Sequence, residues 1–251
     1  MRVMRMASAV CVAGLLLSTM AAVAGEKPPI PKHGHAIKLF DGKDLKGFDV
    51  FLKEDGLNHD PQHVFTVEHG VIHVSGTEMG YIITKKAYSN YYLRAEFKWG
   101  EGTFGSRKGQ ARDSGILYNI QGENKVWPRS VEFQINEGCT GDFWMTDGAA
   151  LTGKDGKRVT GPAGGALKID RFNKGPVKNV AGFRDPVNEL EKPHGEWNVV
   201  ELVNRDGHVW QYVNGKLANE GMDAFPQSGK ILFQSEGAEI YFRNMKLYPL
   251  K

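Results

Sequence analysis

Glu132, Gln134 and Glu137 form an E-x-Q-x-x-E array within residues 130–138. Polar and apolar residues alternate here with period two, which predicts a strand. Val131, Phe133 and Ile135 then face one side, and Glu132, Gln134 and Asn136 the other. A bulge after Asn136 would bring Glu137 into the polar row. A carboxylate beside an amide can move a proton while hydroxyl groups are held in place. The same alternation also suits a plain solvated strand face, so the neighbouring strands must decide.

Two further polar rows are predicted to share that face. Arg112 and Asp113 open a strand that continues through Ser114 and Gly115. Gln234 and Glu236 close another, with Arg243 opposite across an expected final hairpin. For Arg243 the alternative is a salt bridge to Glu236 or Glu239. Trp144, in the run Gly141-Asp142-Phe143-Trp144, suits stacking on a sugar or packing in a local mini-core. The only local histidine pairs are His33 with His35 and His59 with His63, and both read as surface residues. A calcium ion held by loop carbonyls would leave no motif. The chain has no glycine-rich phosphate loop ending in Lys-Ser/Thr and no Gly-x-Ser-x-Gly elbow.

The elements that must position these residues are short strands between glycine turns. Residues 64–67 and 71–74 read as a hairpin, and 81–84 as a strand. Residues 91–99 alternate cleanly, 101–111 form a glycine-rich polar loop, and 114–120 form a strand. Residues 196–203, 208–213 and 216–217 form a meander, and 229–235 with 239–247 the final hairpin. Residues 139–195 show little apolar rhythm and are expected to cover one edge or face without elements of their own. No helical periodicity extends beyond short pieces. The pattern predicts an all-β protein, a sandwich or jelly roll of two antiparallel sheets in one domain.

Residues 1–24 carry Arg2 and Arg5, an apolar run and an Ala22-Val23-Ala24 end, the pattern of a cleaved signal peptide. The expected product is a secreted or periplasmic protein with an extended lead-in over 25–36 and the folded domain over 37–251. The run is short for a membrane span, so no span is expected in the mature form. Without Arg2 and Arg5 the formal net charge falls from +3 to +1. That balance argues against a nucleic-acid partner. Cys139 is then the only cysteine, so no disulfide forms within the chain, and a buried thiol is its simplest reading.

The E-x-Q-x-x-E strand is similar to the E-x-D-x-x-E strand of laminarinase-like β-glucanases, which use two carboxylates. Gln134 replaces the central acid, and an amide cannot do that residue's electrostatic work. A wider resemblance covers residues 37–250. It rests on the run from Leu39 to Phe48, on Arg112 to Tyr118, on Val131 to Ile135, on Gly195 to Asn198, and on Ile231 to Gly237 with Phe242 to Asn244. Together these resemble the 3-keto-disaccharide hydrolase family, also described as 3-keto-glucoside-1,2-lyase/3-keto-2-hydroxy-glucal hydratase domains. The chain departs from that pattern at Asp113, Phe133 and Glu236, where relatives commonly carry Asn, Tyr and His.

The resemblance implies a concanavalin-like jelly roll, a carbohydrate substrate oxidised at C3, and an upstream sugar 3-dehydrogenase that supplies it. The ketone acidifies the C2 proton, a base removes it, and the C1 substituent leaves by β-elimination. Water then adds to the 3-keto-2-hydroxyglucal. Such a site needs a base, a cation or donor for the enolate oxygen, and an acid for the leaving oxygen. The candidates are Glu132 or Glu137 as base and Arg112 or Arg243 at the enolate. Gln134 and Gln234 would orient hydroxyls, with Asp113, Glu236 and Trp144 also binding substrate. A divalent metal ion is a second option for the electrophile. The alternatives are a laminarinase-like glycosidase and a non-catalytic carbohydrate-binding domain, in which Trp127, Trp144 and Trp210 would matter more.

Overall fold

The computed structural model describes residues 32–251. The segment read as a signal peptide lies outside them. Among the described residues, eighteen strands account for nearly all the regular structure. In chain order they are β1 (Ile37–Lys38), β2 (Phe48–Leu52), β3 (Gly56–Leu57), β4 (Phe65–Glu68), β5 (Val71–Val74) and β6 (Gly80–Thr84). Next come β7 (Tyr91–Thr103), β8 (Asp113–Ile120), β9 (Ser130–Asn136), β10 (Phe143–Thr146), β11 (Ala150–Gly153) and β12 (Arg158–Thr160). The last are β13 (Ala166–Ile169), β14 (Asn198–Arg205), β15 (His208–Val213), β16 (Lys216–Phe225), β17 (Lys230–Ser235) and β18 (Ala238–Pro249). The only helical element among the described residues is a 3-10 turn at Gly105–Arg107. No helix among them is long and apolar enough to cross a membrane.

The strands form two antiparallel sheets in a jelly-roll sandwich. One sheet has eight strands in the order β13-β10-β9-β8-β17-β6-β2-β3. The other runs β12-β11-β16-β15-β14-β7-β18-β5-β4, with β1 on β18. The period-two pattern decides which side chains meet between them. Val131, Phe133 and Ile135 of β9, Ile116 and Tyr118 of β8, and Ile231 and Phe233 of β17 all enter the common core. Phe233 packs edge-on against Phe242 of the opposite sheet, with ring centroids 5.3 Å apart. Each such buried ring stabilises the sandwich by about 1.5–3 kcal/mol.

The intervening residues of the same strands point to the outer face of the eight-stranded sheet. One half of that face is apolar, built from Tyr81, Ile83, Leu117 and Leu232, with Phe51 and Trp127 against them. The other half is polar. Gly115 of β8 stands opposite Gln134 of β9, and Leu117 opposite Glu132. Trp144 of β10 stands opposite Glu132 on the other side.

Two expectations are corrected. Residues 139–195 contain four strands rather than none. β10 and β13 extend the eight-stranded sheet beside β9, while β11 and β12 extend the other sheet. These strands are only three or four residues long, and β12 and β13 face solvent over much of their length, so they have no strong apolar rhythm. The expected final hairpin is also absent. β17 belongs to the eight-stranded sheet and β18 to the other. Glu236 and Gly237 therefore turn a corner between sheets.

Candidate active site

The polar half of the outer face holds a pocket of about 180 Å³. Its floor comes from three adjacent strands. β9 supplies Glu132 and Gln134, β8 supplies Asp113, and β17 supplies Gln234 with Glu236 just beyond it. Trp144 and Thr146 of β10 and Ala166 of β13 form one wall, and Trp127 another. Arg107 enters from the 3-10 turn and completes the lining. Six of the nine residues expected at the site thus share one pocket: Asp113, Glu132, Gln134, Trp144, Gln234 and Glu236.

Arg107 organises the charges. Its Nη2 pairs with Glu236 Oε1 at 2.6 Å and with Asp113 Oδ2. The second Asp113 oxygen, Oδ1, accepts a hydrogen bond from Gln134 Nε2 at 2.9 Å. Glu132 has no ion pair with the guanidinium. Burial pushes Glu132 well above the ordinary carboxylate range; repulsion from Glu236 and Asp113 adds to this, and Arg107 opposes it. Burial, then repulsion from Glu236, also raises Asp113 against the pull of Arg107. Burial raises Glu236, with Arg107 again opposing. Three carboxyls around one guanidinium cannot all ionise cheaply. Arg107 contacts Asp113 and Glu236 directly and does not contact Glu132, so Glu132 has the least direct help in ionising.

The local packing agrees. Glu132 Oε1 and Gln234 Oε1 are buried acceptors without a hydrogen-bond partner. Both flank Gly115, where an added Cβ would come within 2.2 Å of Glu132 Oε1 and 2.3 Å of Gln234 Oε1. Only glycine leaves room for the two side chains to lie over the strand. A proton on Glu132 supplies the donor that this pair of acceptors lacks.

The other three expected residues lie elsewhere. Glu137 does not join the polar row by a bulge. It follows the end of β9, and Arg112 Nη1 donates to its Oε1 at 2.8 Å. Its Oε2 accepts from the backbone N–H groups of Arg112 and Gly182, at 2.9 and 2.8 Å. This buried clamp ties β8 to the loop after β13, and neither side chain lines the pocket. Arg243 sits on β18, in the opposite sheet, because the chain changes sheets at Glu236 and Gly237. Its Nε donates to Glu96 Oε2 at 2.8 Å and its guanidinium lies 3.9 Å above the Trp197 ring. Neither Glu236 nor Glu239 is its partner.

Arg107 was missed as a site residue. It lies in a loop, where no periodicity marks direction, and only its charge among glycines distinguished it. The residues do not suit a metal ion. No group of three or more His, Cys, Asp or Glu side chains among the described residues is arranged to hold one. The Arg107 guanidinium fills the place between Asp113 and Glu236 that a cation would need.

A three-carboxyl, tryptophan-walled pocket lies on one outer face of the jelly-roll sandwich, and the family match supports a carbohydrate-active protein. The chain belongs to the 3-keto-alpha-glucoside-1,2-lyase-like domain family, whose model matches residues 35–248. No curated protein matches the sequence. Among solved structures, the chain is similar to two proteins from Parabacteroides distasonis, each designated a candidate glycosyl hydrolase. The first is 24% identical, with 86% of this chain and 94% of that one covered and a TM-score of 0.55. The second is 21% identical, with 86% and 100% covered and a TM-score of 0.53. A third, from work on endo-acting O-glycanases of the human gut microbiota, is 14% identical, with 88% and 100% covered and a TM-score of 0.53. At these identities the likeness establishes the shared fold.

Proposed function

We propose that this protein cleaves 3-keto-glycosides by β-elimination and hydrates the resulting 3-keto-2-hydroxyglucal, so that the net reaction is hydrolysis. The observation that carries the reading is the meeting in one pocket of Glu132, which has no ion pair with the guanidinium, and Glu236, which is paired with Arg107 at 2.6 Å. Family membership supports a 3-keto sugar as the substrate class.

Glu236 is the base. It takes the C2 proton, and the C–H electron pair moves onto the C3 oxygen as an enolate. Arg107 stabilises that negative charge. The enolate re-forms the C3 ketone, a double bond forms between C1 and C2, and the C1–O bond breaks. Glu132 delivers its proton to the departing oxygen. Hydration runs the sequence backwards with water in place of the aglycone. Glu132 takes a proton from water as it adds to C1, Glu236 returns one to C2, and both carboxyls are reset. Gln134 and Gln234 orient ring hydroxyls, and Trp144 stacks against the ring. Action in the periplasm or outside the cell, on sugars oxidised by a sugar 3-dehydrogenase, belongs to the same proposal.

The test is aglycone release from a nitrophenyl glucoside and from its 3-keto derivative, each with and without EDTA. Release from the keto form alone, insensitive to EDTA, is expected. Equal release from the unoxidised glucoside would instead make the protein a direct glycosidase. Binding without release from either would make it a carbohydrate-binding module.

A further inference from the structure

Asp147 follows the end of β10 and lines no part of the active pocket. It is nevertheless bonded to the segments on both sides of it. Its backbone N–H donates to the Gly165 carbonyl at 2.9 Å, and its Oδ1 accepts from the Gly164 N–H at 2.9 Å. These bonds fix the start of β13, where Ala166 stands opposite Thr146 in one wall of the pocket. Its Oδ2 pairs with Lys125 Nζ at 2.7 Å, and its carbonyl accepts from Arg129 Nε at 2.9 Å. Lys125 and Arg129 stand two residues before and two after Trp127, the other wall. One residue thus ties the two walls together. On the Arg129 side there is a second short tie, from Thr146 Oγ1 to the Pro128 carbonyl at 2.7 Å. On the Lys125 side the further ties are longer, from Tyr81 Oη to Asn124 Oδ1 at 3.3 Å and to the Lys125 carbonyl at 3.5 Å. The Lys125 side therefore depends most on the Asp147 carboxylate.

We infer that Asp147 is a positioning residue for the active pocket: by gripping Lys125 and the start of β13 with one carboxylate, it fixes the Trp127 wall against the other wall and so sets the fit of the substrate. The inference rests on the reading above only in taking this pocket as the one that binds substrate. Asp147 has no part in the proton transfers. The groups that carry them stand on the floor, with Glu132 on β9 and Glu236 just beyond β17, and Arg107 pairs with Asp113 and Glu236 there. A loosened Trp127 wall therefore weakens the hold on substrate and transition state alike, which raises KM and spares kcat. The Lys125 side chain is 50% exposed, so the pair contributes a modest factor rather than deciding the fold. The Asp147 backbone has a φ of +49°, a conformation that Asn and Gly also adopt readily. Either residue can replace it without forcing the turn.

The experiment measures kcat and KM for methyl 3-keto-glucoside in the wild-type protein, in Asp147→Gly, Asp147→Asn and Lys125→Ala, and in the double variant of the last two. A second readout, independent of turnover, is acrylamide quenching of the Trp127 fluorescence, taken as the difference between each protein and the same protein carrying Trp127→Phe. Asp147→Gly removes every side-chain tie. It is expected to raise KM by about threefold to tenfold, with kcat within about twofold of wild type, and to raise the Trp127 quenching constant at least twofold. Asp147→Asn keeps an acceptor for the Gly164 N–H and loses the ion pair, as Lys125→Ala does. These two should show smaller rises of similar size, and the double variant no more than either alone, because both remove one interaction. They carry the same test if Asp147→Gly does not fold. If the keto substrate is not turned over, the lyase reading fails and the quenching decides alone: a raised Trp127 quenching constant supports the positioning role. An unchanged quenching constant, an unchanged KM on a substrate that is turned over, a kcat that falls as far as kcat/KM, or single effects that multiply in the double variant would overturn the assignment.

Discussion

At the scale of single residues, the division of labour rests on which carboxyls Arg107 touches. Asp113 and Glu236 share its Nη2, and Glu132 does not. Glu132→Gln keeps the shape of the side chain but removes its transferable proton. It is expected to lower kcat by a factor of about 10²–10⁴, with circular dichroism unchanged. Glu137→Gln should behave differently. It weakens a buried pair that also holds two backbone N–H groups, and breaking such a pair costs about 3–5 kcal/mol. The expected result is a marked fall in the denaturant midpoint with catalysis largely retained in the protein that stays folded. A large kcat loss without destabilisation would return Glu137 to the chemistry.

At the scale of elements, legibility followed periodicity. Glu132 and Gln134 could be placed because β9 alternates strictly and its apolar partners are buried in the sandwich core. Gln234 could be placed for the same reason on β17. Glu236 and Arg243 could not be related correctly. A Glu-Gly pair between two alternating runs looks the same whether it closes a hairpin or carries the chain from one sheet to the other. Only the pairing of β17 with β8 and of β18 with β7 distinguishes the two. Arg107 and the wall strands β10 and β13 were obscure because short or irregular segments draw their structure from neighbours rather than from local pattern.

The loop between β13 and β14 shows how such a segment is held. Glu191 accepts a hydrogen bond from Trp99 Nε1 at 2.9 Å and pairs with the Thr140 hydroxyl. It thereby joins the loop to β7 and to the turn after β9. Burial pushes its carboxyl up to about 7; those two hydrogen bonds oppose the shift, and Glu189 and Glu137 add to it. The folded-state value lies above the ordinary 4.5, so the unfolded chain loses this proton first as pH rises. Glu191 therefore favours the folded state least at high pH, and its contribution is lost between about 4.5 and about 7. Glu191→Gln keeps an acceptor for Trp99 and carries no titrating proton. Thermal melts should show the variant gaining on the wild type from about pH 5 to about pH 8. A constant difference across that range would contradict the assignment.

At the scale of the whole molecule, the sandwich uses one face of each strand for cohesion and the other for chemistry. The two sheets bury their rings against each other. The outer face of the eight-stranded sheet is left to carry the apolar patch and the pocket beside it. The overall class was legible from strand count, glycine turns and the absence of helical rhythm, and the family from motifs spread across the chain. The most direct test of the account follows hydrogen at C2. A 3-keto-glycoside is turned over in D₂O, and the released 3-keto sugar is analysed at early times by NMR, against an enzyme-free control for background exchange. Elimination followed by hydration predicts deuterium at C2 of the product, because the proton on Glu236 exchanges with D₂O after the aglycone has left and before one is returned, and Glu132→Gln should slow its appearance together with aglycone release. Product released with its original C2 hydrogen, together with no kinetic isotope effect on aglycone release from the C2-deuterated substrate, would contradict the account, because direct hydrolysis at C1 never breaks that bond.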